Sequence, residues 1–89
     1  MPENLTLKIV TPDQLYFEGP VEHVKAPGYN GYLGILRNHA AFVTPITQGD
    51  LAYRDLSGTT TTVQIEGGFL EVLNNRVLVL TDKVQGAVA

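Results

Sequence analysis

Residues that could do chemistry are few in this 89-residue chain, and they are scattered along it. Nucleophilic catalysis by serine needs a base beside the hydroxyl, but Ser57 precedes Gly58 in a dipeptide typical of a turn. His23 and His39 are too far apart for a local metal motif, and neither has a carboxylate at ligand spacing beside it. We therefore predict no serine nucleophile and no metal site, and we expect His39 to be a hydrogen-bonding or contact residue.

A pair of glutamates offers one alternative chemistry. Glu66 precedes Gly67-Gly68 and Glu71 follows it, so a bend there could bring the two together as general acid and base. Nothing else supports the pair, because the nine acids fall mainly at expected strand edges and turns, where solvated surface is the default. The residues favour a non-enzymatic interaction module, with a small hydrolase using His39 or the glutamates as an alternative.

The most distinctive stretch runs from residue 26 to residue 44 and has glycine at three positions spaced by three. Gly28, Gly31 and Gly34 permit positive φ and close backbone approach, so we predict a compact, rigid loop with a short strand at 33–36. This glycine spacing is neither the dinucleotide fingerprint nor a P-loop, and no lysine-serine/threonine pair follows it. The pattern therefore predicts a docking loop and no cofactor.

Composition limits the alternatives further. The length fits one domain, residues 1–89, with a net charge of −3 and a pI near 5.1. The six Lys and Arg residues are scattered singly, which argues against nucleic-acid binding. The lack of cysteine excludes disulfides and thiolate zinc sites. No apolar run reaches the ~20 residues of a membrane span, and the N-terminus lacks a signal-peptide profile, so we expect a soluble protein that stays where it is made.

Alternating apolar and polar residues predict an all-β chain of about ten short strands. Leu5, Leu7 and Ile9 fall on one face, and we expect Leu15 and Phe17 to point inward as well. Pro45 cannot donate to a sheet ladder, so its strand should be an edge strand or end there. Frequent turn signals favour a flattened antiparallel β-barrel or sandwich of two sheets.

More large apolar side chains are present than a thin sandwich can bury. Tyr29 and Tyr32 in the glycine loop are either exposed interface anchors or packed down on the sandwich end. In the last hairpin, Phe69 is expected to be buried on the face of Val77 and Val79. Leu70, Leu78 and Leu80 would form the opposite face. A hairpin that is apolar on both faces predicts a second covering layer or a partner protein.

Several blocks together resemble a known family over essentially the whole chain, in order and with suitable spacing. They are Val10-Thr11-Pro12, Leu15-Tyr16-Phe17-Glu18-Gly19, Val24-Lys25-Ala26-Pro27-Gly28, Gly31-Tyr32-Leu33-Gly34-Ile35-Leu36, His39-Ala40, Gly67-Gly68-Phe69-Leu70-Glu71-Val72 and residues 77–82. The chain resembles the epsilon subunit of F-type, proton-translocating ATP synthases. The resemblance implies a two-sheet, flattened β-barrel sandwich at the foot of the rotating central stalk, with a mechanical role in ATP synthesis and no catalytic residue.

The resemblance also implies partners and contact residues. Partners would be the gamma subunit and the membrane-embedded c-ring, in a peripheral complex on the cytoplasmic side of a bacterial inner membrane, with the plastid stromal face as the alternative. By position, the c-ring-facing loop would be Tyr29, Asn30, Gly31 and Tyr32. The gamma-subunit face would contain Thr11, His39, Phe42 and Thr44. A generic β-sandwich module that binds some other protein remains a second alternative.

Three departures from the family pattern matter. The family often has an acidic residue where Tyr32 stands, and its usual Pro-Gly before His-Ala-Pro reads Arg37-Asn38 before His39-Ala40-Ala41. Typical members also continue into a helical hairpin that can inhibit ATP hydrolysis and, in some, bind ATP. Because this chain ends at Ala89, we expect neither self-inhibition nor ATP binding, although a truncated piece of a longer protein would have the same sequence.

Overall fold

The computed structural model describes residues 4–88, which form seven strands joined by short turns. No helix occurs among these residues. The strands are β1 (Leu5–Val10), β2 (Leu15–Gly28), β3 (Gly31–Leu36), β4 (Phe42–Asp55), β5 (Thr60–Leu73), β6 (Arg76–Thr81) and β7 (Val84–Val88). The predicted all-β class is confirmed.

Hydrogen bonding closes five of the strands into a barrel. The path β1-β6-β5-β4-β2 returns to β1, while β3 extends from β2 and β7 extends from β5. The pairing of β1 with β6 is parallel, and the other pairings among the described residues are antiparallel. Among the described residues, closure leaves free edges on β3, on β7 and on parts of β2 and β4, which limits edge-to-edge association.

Three strands of 14 residues each serve both layers of the flattened barrel. Sheet I, as defined by the pairings, contains β3, residues 23–28 of β2, residues 50–55 of β4, residues 60–65 of β5, and β7. Sheet II contains residues 15–21 of β2, residues 42–48 of β4, residues 66–73 of β5, β1 and β6. Seven strands therefore supply ten segments, which accounts for the ten short strands expected from the sequence.

Strand β5 crosses between the sheets at Gly67-Gly68. Both glycines have positive φ, 93° and 136°, which side chains other than glycine rarely adopt. A Cβ on Gly68 would also collide with the backbone oxygen of Leu80 on β6. The bend expected at Gly67-Gly68 is confirmed, and the backbones of β5 and β6 approach closely there.

The core lies between the two sheets and follows the expected alternation. Leu5, Leu7 and Ile9 are buried, as predicted. The expectation for Leu15 is wrong, because that side chain is 51% exposed. A register shift in the β1–β2 pairing sets Phe17 opposite inward Ile9 and Leu15 opposite outward Val10, and facing residues share a side of the sheet. The buried apolar set is Leu5, Leu7, Ile9, Val21, Val24, Ala26, Ile35, Ile46, Leu51, Tyr53, Val63, Ile65, Leu70, Val72, Val77 and Val79.

In the β5–β6 hairpin, Val77 and Val79 are buried as predicted, but Phe69 and Leu70 lie on the opposite faces from those predicted. Phe69 is 56% exposed and lies opposite Leu80, whereas Leu70 is buried opposite Val79. The reason is the two-residue turn at Asn74-Asn75, which sets Leu73 opposite Arg76 and so fixes the register of the whole hairpin. The hairpin is apolar on both faces, as expected, but Phe69 belongs to the outer one.

Candidate docking surfaces

The predicted glycine loop is a β-hairpin formed by β2 and β3. Tyr29-Asn30 is its two-residue turn and Gly28 faces Gly31 across it, so the strand after the turn begins at residue 31 instead of residue 33. Of the three spaced glycines, Gly31 alone has positive φ, 120°. A Cβ on Gly28 would lie 2.8 Å from the backbone oxygen of Gly31, so that position requires glycine for close approach.

The end of this hairpin, residues 28–32, is the hairpin tip, and its tyrosines project into solvent. Tyr29 is 71% exposed and Tyr32 is 55% exposed, which favours interface anchors over side chains packed on the sandwich end. The ammonium of Lys25 lies over the Tyr32 ring, 4.6 Å from its centroid. A recess of about 260 Å³ separates the hairpin tip from Thr44 and Pro45 at the start of β4.

Part of the predicted gamma-subunit face lies at the start of β4, where neighbouring side chains point alternately toward the core and toward solvent. Phe42 and Thr44 share a face with buried Ile46, and Phe42 packs against the core. The His39 ring lies 5.1 Å from the Phe42 ring, and its Nδ1 is 2.8 Å from the backbone oxygen of Ala40. Sequence reasoning missed outward-pointing Val43, which is 64% exposed.

Thr11 lies elsewhere. Its hydroxyl and its backbone N–H both donate to the backbone oxygen of Gln14, at 3.3 and 2.9 Å, which closes the turn after β1. It also lines a shallow groove of about 400 Å³ with Phe69 and Leu80. The two β-strands β5 and β6 therefore separate Thr11 from Thr44, and the four residues assigned by resemblance do not form one cluster.

An exposed row of apolar side chains crosses all five segments of sheet II. The cross-strand pairs that define this apolar row are Pro45 with Phe69, Phe69 with Leu80, Leu80 with Val10, and Val10 with Leu15. Phe69, Leu15 and Leu80 are between 46% and 56% exposed. Pro45 lies where β4 pairs with β5 only, so the predicted edge position is confirmed. Such a continuous exposed row is typical of a protein-binding surface.

Residues that were considered for chemistry occupy structural positions. Asp55 Oδ1 accepts hydrogen bonds from the Ser57 hydroxyl at 2.7 Å, the Ser57 N–H at 2.9 Å and the Thr59 N–H at 3.0 Å. These bonds, first that of the Ser57 hydroxyl and then that of the Thr59 N–H, hold the pKa of Asp55 below its usual value. Ser57 therefore has the turn role expected of it.

The two glutamates lie on opposite sides of the β5 bend. Glu66 faces Gln48 and Glu71 faces Val43 on β4, and both glutamates are exposed. Across residues 4–88, no group of three or more His, Asp or Glu side chains is placed to hold a metal ion. The same residues contain no helix of the length and apolar character that a membrane span requires.

Comparison with known proteins identifies the family. The model of the family described as "ATP synthase, Delta/Epsilon chain, beta-sandwich domain" matches residues 4–87. The chain belongs to this family. An ATP synthase epsilon chain of Nitratidesulfovibrio vulgaris (strain Miyazaki F) is 42% identical over 87 residues, which are 98% of this chain and 64% of that relative. One from Chlorobaculum tepidum is 39% identical over 79 residues, 89% of this chain and 90% of the relative.

The chain spans slightly less than two thirds of the length of the Nitratidesulfovibrio epsilon chains that it matches.

Two solved structures share the fold of this family member. A chain in the Euglena gracilis mitochondrial ATP synthase structure of OSCP, F1 and c-ring superposes with a TM-score of 0.89 at 23% identity, over 97% of this chain and 55% of that one. A chain in the Tetrahymena thermophila mitochondrial ATP synthase structure of the central stalk and c-ring superposes with a TM-score of 0.81 at 15% identity, over 96% of this chain and 68% of that one.

Proposed function

We propose that this chain is a non-catalytic rotor subunit of a proton-translocating F-type ATP synthase, which couples the gamma subunit to the c-ring during ATP synthesis. Family membership supports the proposal, since the curated relatives are bacterial ATP synthase epsilon chains. Both structures with the same fold come from assemblies that include the c-ring, together with OSCP and F1 in one and with the central stalk in the other. The complex would be peripheral to the cytoplasmic side of a bacterial inner membrane.

The observation that carries the proposal is the presence of two separate exposed surfaces on one rigid barrel. The apolar row crosses sheet II, and the hairpin tip with Tyr29 and Tyr32 extends from sheet I. A subunit that transmits torque between two partners needs one surface for each of them and a scaffold that does not deform between them. The closed barrel provides the scaffold because its strands β2, β4 and β5 run through both sheets.

We assign the gamma subunit to the apolar row and the c-ring to the hairpin tip. Thr11 borders the row through its groove, and Val43 lies beside it on β4. His39 in the connection before β4 packs against Phe42, the first residue of that strand. At the hairpin tip, Tyr29, Asn30, Gly31 and Tyr32 form the c-ring contact.

The proposal is tested by calorimetric titration of this chain into the purified cognate gamma subunit. Phe69→Glu places a charge in the apolar row and should weaken binding at least tenfold, because burial of an unpaired carboxylate opposes docking. Leu56→Glu is the matched control, since Leu56 is 48% exposed in the turn after β4, outside the row. Phe42→Asp is unsuitable here because Phe42 packs against the core. If the unaltered chain does not bind the gamma subunit, the proposed coupling function is wrong and the likeness to the known structures extends only to the fold.

A further inference from the structure

Acidic residues are absent from a long internal part of the sequence. None occurs between Glu22 and Asp50, whereas residues 23–49 include Lys25, Arg37 and two histidines. This stretch has a formal charge of +2 against −5 for the remainder, in a chain whose net charge is −3. A protein that is acidic as a whole therefore has one positively charged segment.

In the fold, this segment forms the hairpin and its surroundings. It covers the second half of β2, β3, the connection that follows and the first half of β4, which enclose the recess beside the hairpin tip. Lys25 faces Gly34 across the β2–β3 pairing, and Pro27 faces Tyr32. Tyr32 lies two residues from Gly34 on β3 and so shares a face of the hairpin with Lys25, whose ammonium lies over the Tyr32 ring with 4.6 Å between Nζ and the ring centroid.

No carboxylate neutralises Lys25 within the described part of the chain. Asp50 lies on β4 two residues from Ala52, which faces Lys25. The Oδ1 atom of Asp50 accepts a hydrogen bond from Gln64 Nε2 at 2.6 Å. The ion pair found among residues 4–88 joins Arg54 to Glu22, at 3.9 Å.

We infer that Lys25, held over Tyr32, determines the specificity of the hairpin tip, and that the c-ring loop it meets presents a carboxylate. The inference rests on the proposed function, which supplies the c-ring as the partner. An ammonium already stacked on an aromatic ring loses little side-chain entropy on docking and gains most from an opposite charge. A basic loop would be repelled, because residues 23–49 contain no acidic side chain that could pair with it.

The test is binding of the full chain to purified cognate c-ring in detergent, at low and at high salt. Lys25→Glu should weaken binding at least tenfold at low salt, and the loss should shrink at high salt because exposed charges are screened. Lys83→Glu makes the same charge change outside the segment and should alter affinity less than twofold. Replacing the loop carboxylate of the ring by lysine should restore binding of the Lys25→Glu variant. Unchanged or tighter binding by Lys25→Glu would overturn the inference.

Two further measurements separate this inference from misfolding and from the proposed function. Tyr32→Phe keeps the ring under Lys25 and Tyr32→Leu removes it, so the leucine variant should bind the c-ring more weakly than the phenylalanine variant, with the far-ultraviolet circular dichroism of both unchanged. If the chain binds the gamma subunit but Lys25→Glu binds the ring as well as the unaltered chain does, only the inference fails. If the unaltered chain binds neither the gamma subunit nor the c-ring, the proposed function and the inference both fail. If it binds the gamma subunit but not the c-ring, the inference fails.

Discussion

The backbone N–H of Asn38 donates a hydrogen bond to the side-chain oxygen of Asn75 at 2.6 Å, although the residues lie 37 positions apart. In return, Asn75 Nδ2 donates to Asn38 Oδ1 at 3.4 Å. The backbone oxygen of Asn75 also accepts a bond from the N–H of Thr6 at 2.9 Å. Asn75 therefore links the connection after β3, the β5–β6 turn and strand β1.

Replacing Asn75 by glycine should cost about 1 kcal/mol of unfolding free energy through the loss of these side-chain hydrogen bonds. Glycine is chosen because Asn75 has φ of 62°, which glycine adopts without strain. Asn74→Gly is the matched control, since Asn74 has φ of 50° in the same turn but makes none of these bonds. Urea denaturation of both variants gives the difference, and equal stabilities would show that the link contributes nothing.

Adjacent residues of β5 should respond in opposite ways to truncation. Leu70→Ala should cost about 2–5 kcal/mol, because Leu70 is fully buried between the sheets. Phe69→Ala should change stability by less than about 1 kcal/mol, since Phe69 is 56% exposed. Chemical denaturation measures both. A cost for Phe69→Ala as large as that of Leu70→Ala would mean that the hairpin register is shifted by one residue.

Sequence alternation predicted the elements well but could not assign every face. In β1, polar Thr6 and Lys8 separate the apolar positions, so the inward face was unambiguous. Between residues 69 and 80 both faces are apolar, and only the register set by the Asn74-Asn75 turn decides between them. The same limit applies to Leu15, whose direction depends on an irregularity in the pairing of β1 with β2.

The two docking surfaces differ in how much of each could be predicted from the sequence. The apolar row joins Pro45, Phe69, Leu80, Val10 and Leu15, which are distant in sequence and meet only through cross-strand pairing. The hairpin tip was easier to predict, because its residues are contiguous and the glycines mark the turn. Its partner Lys25 was missed, although a lysine two residues before Pro27-Gly28 is a visible signal once the hairpin register is known.

The crossing of β5 between the sheets should depend on Gly68. Gly68→Ala should destabilise the fold by about 3–5 kcal/mol, because the new Cβ meets the backbone oxygen of Leu80 and φ is 136°. Gly58→Ala separates the two causes, since φ is 91° there but the space around it is open. That control should cost about 1–2 kcal/mol. Similar melting temperatures for the two variants would show that β6 moves away and that the close approach is not required.

Acid should weaken the β4–β5 turn through Asp55. Its pKa is lowered from an ordinary value of 3.8, first by the Ser57 hydroxyl and then by the Thr59 N–H. A carboxyl group whose pKa is lower in the folded state than in the unfolded state stabilises the fold when the pH is above its unfolded-state pKa. This stabilisation is lost as the pH falls through the folded-state pKa. Asp55→Asn should therefore be less stable than the unaltered chain at pH 7 and equal to it in strong acid. Melting temperatures between pH 2 and 7 measure this difference, and a constant difference across that range would contradict the assignment. A carboxyl-carbon NMR titration should show the Asp55 pKa rising in Ser57→Ala, because that variant removes the hydroxyl that lowers this pKa most.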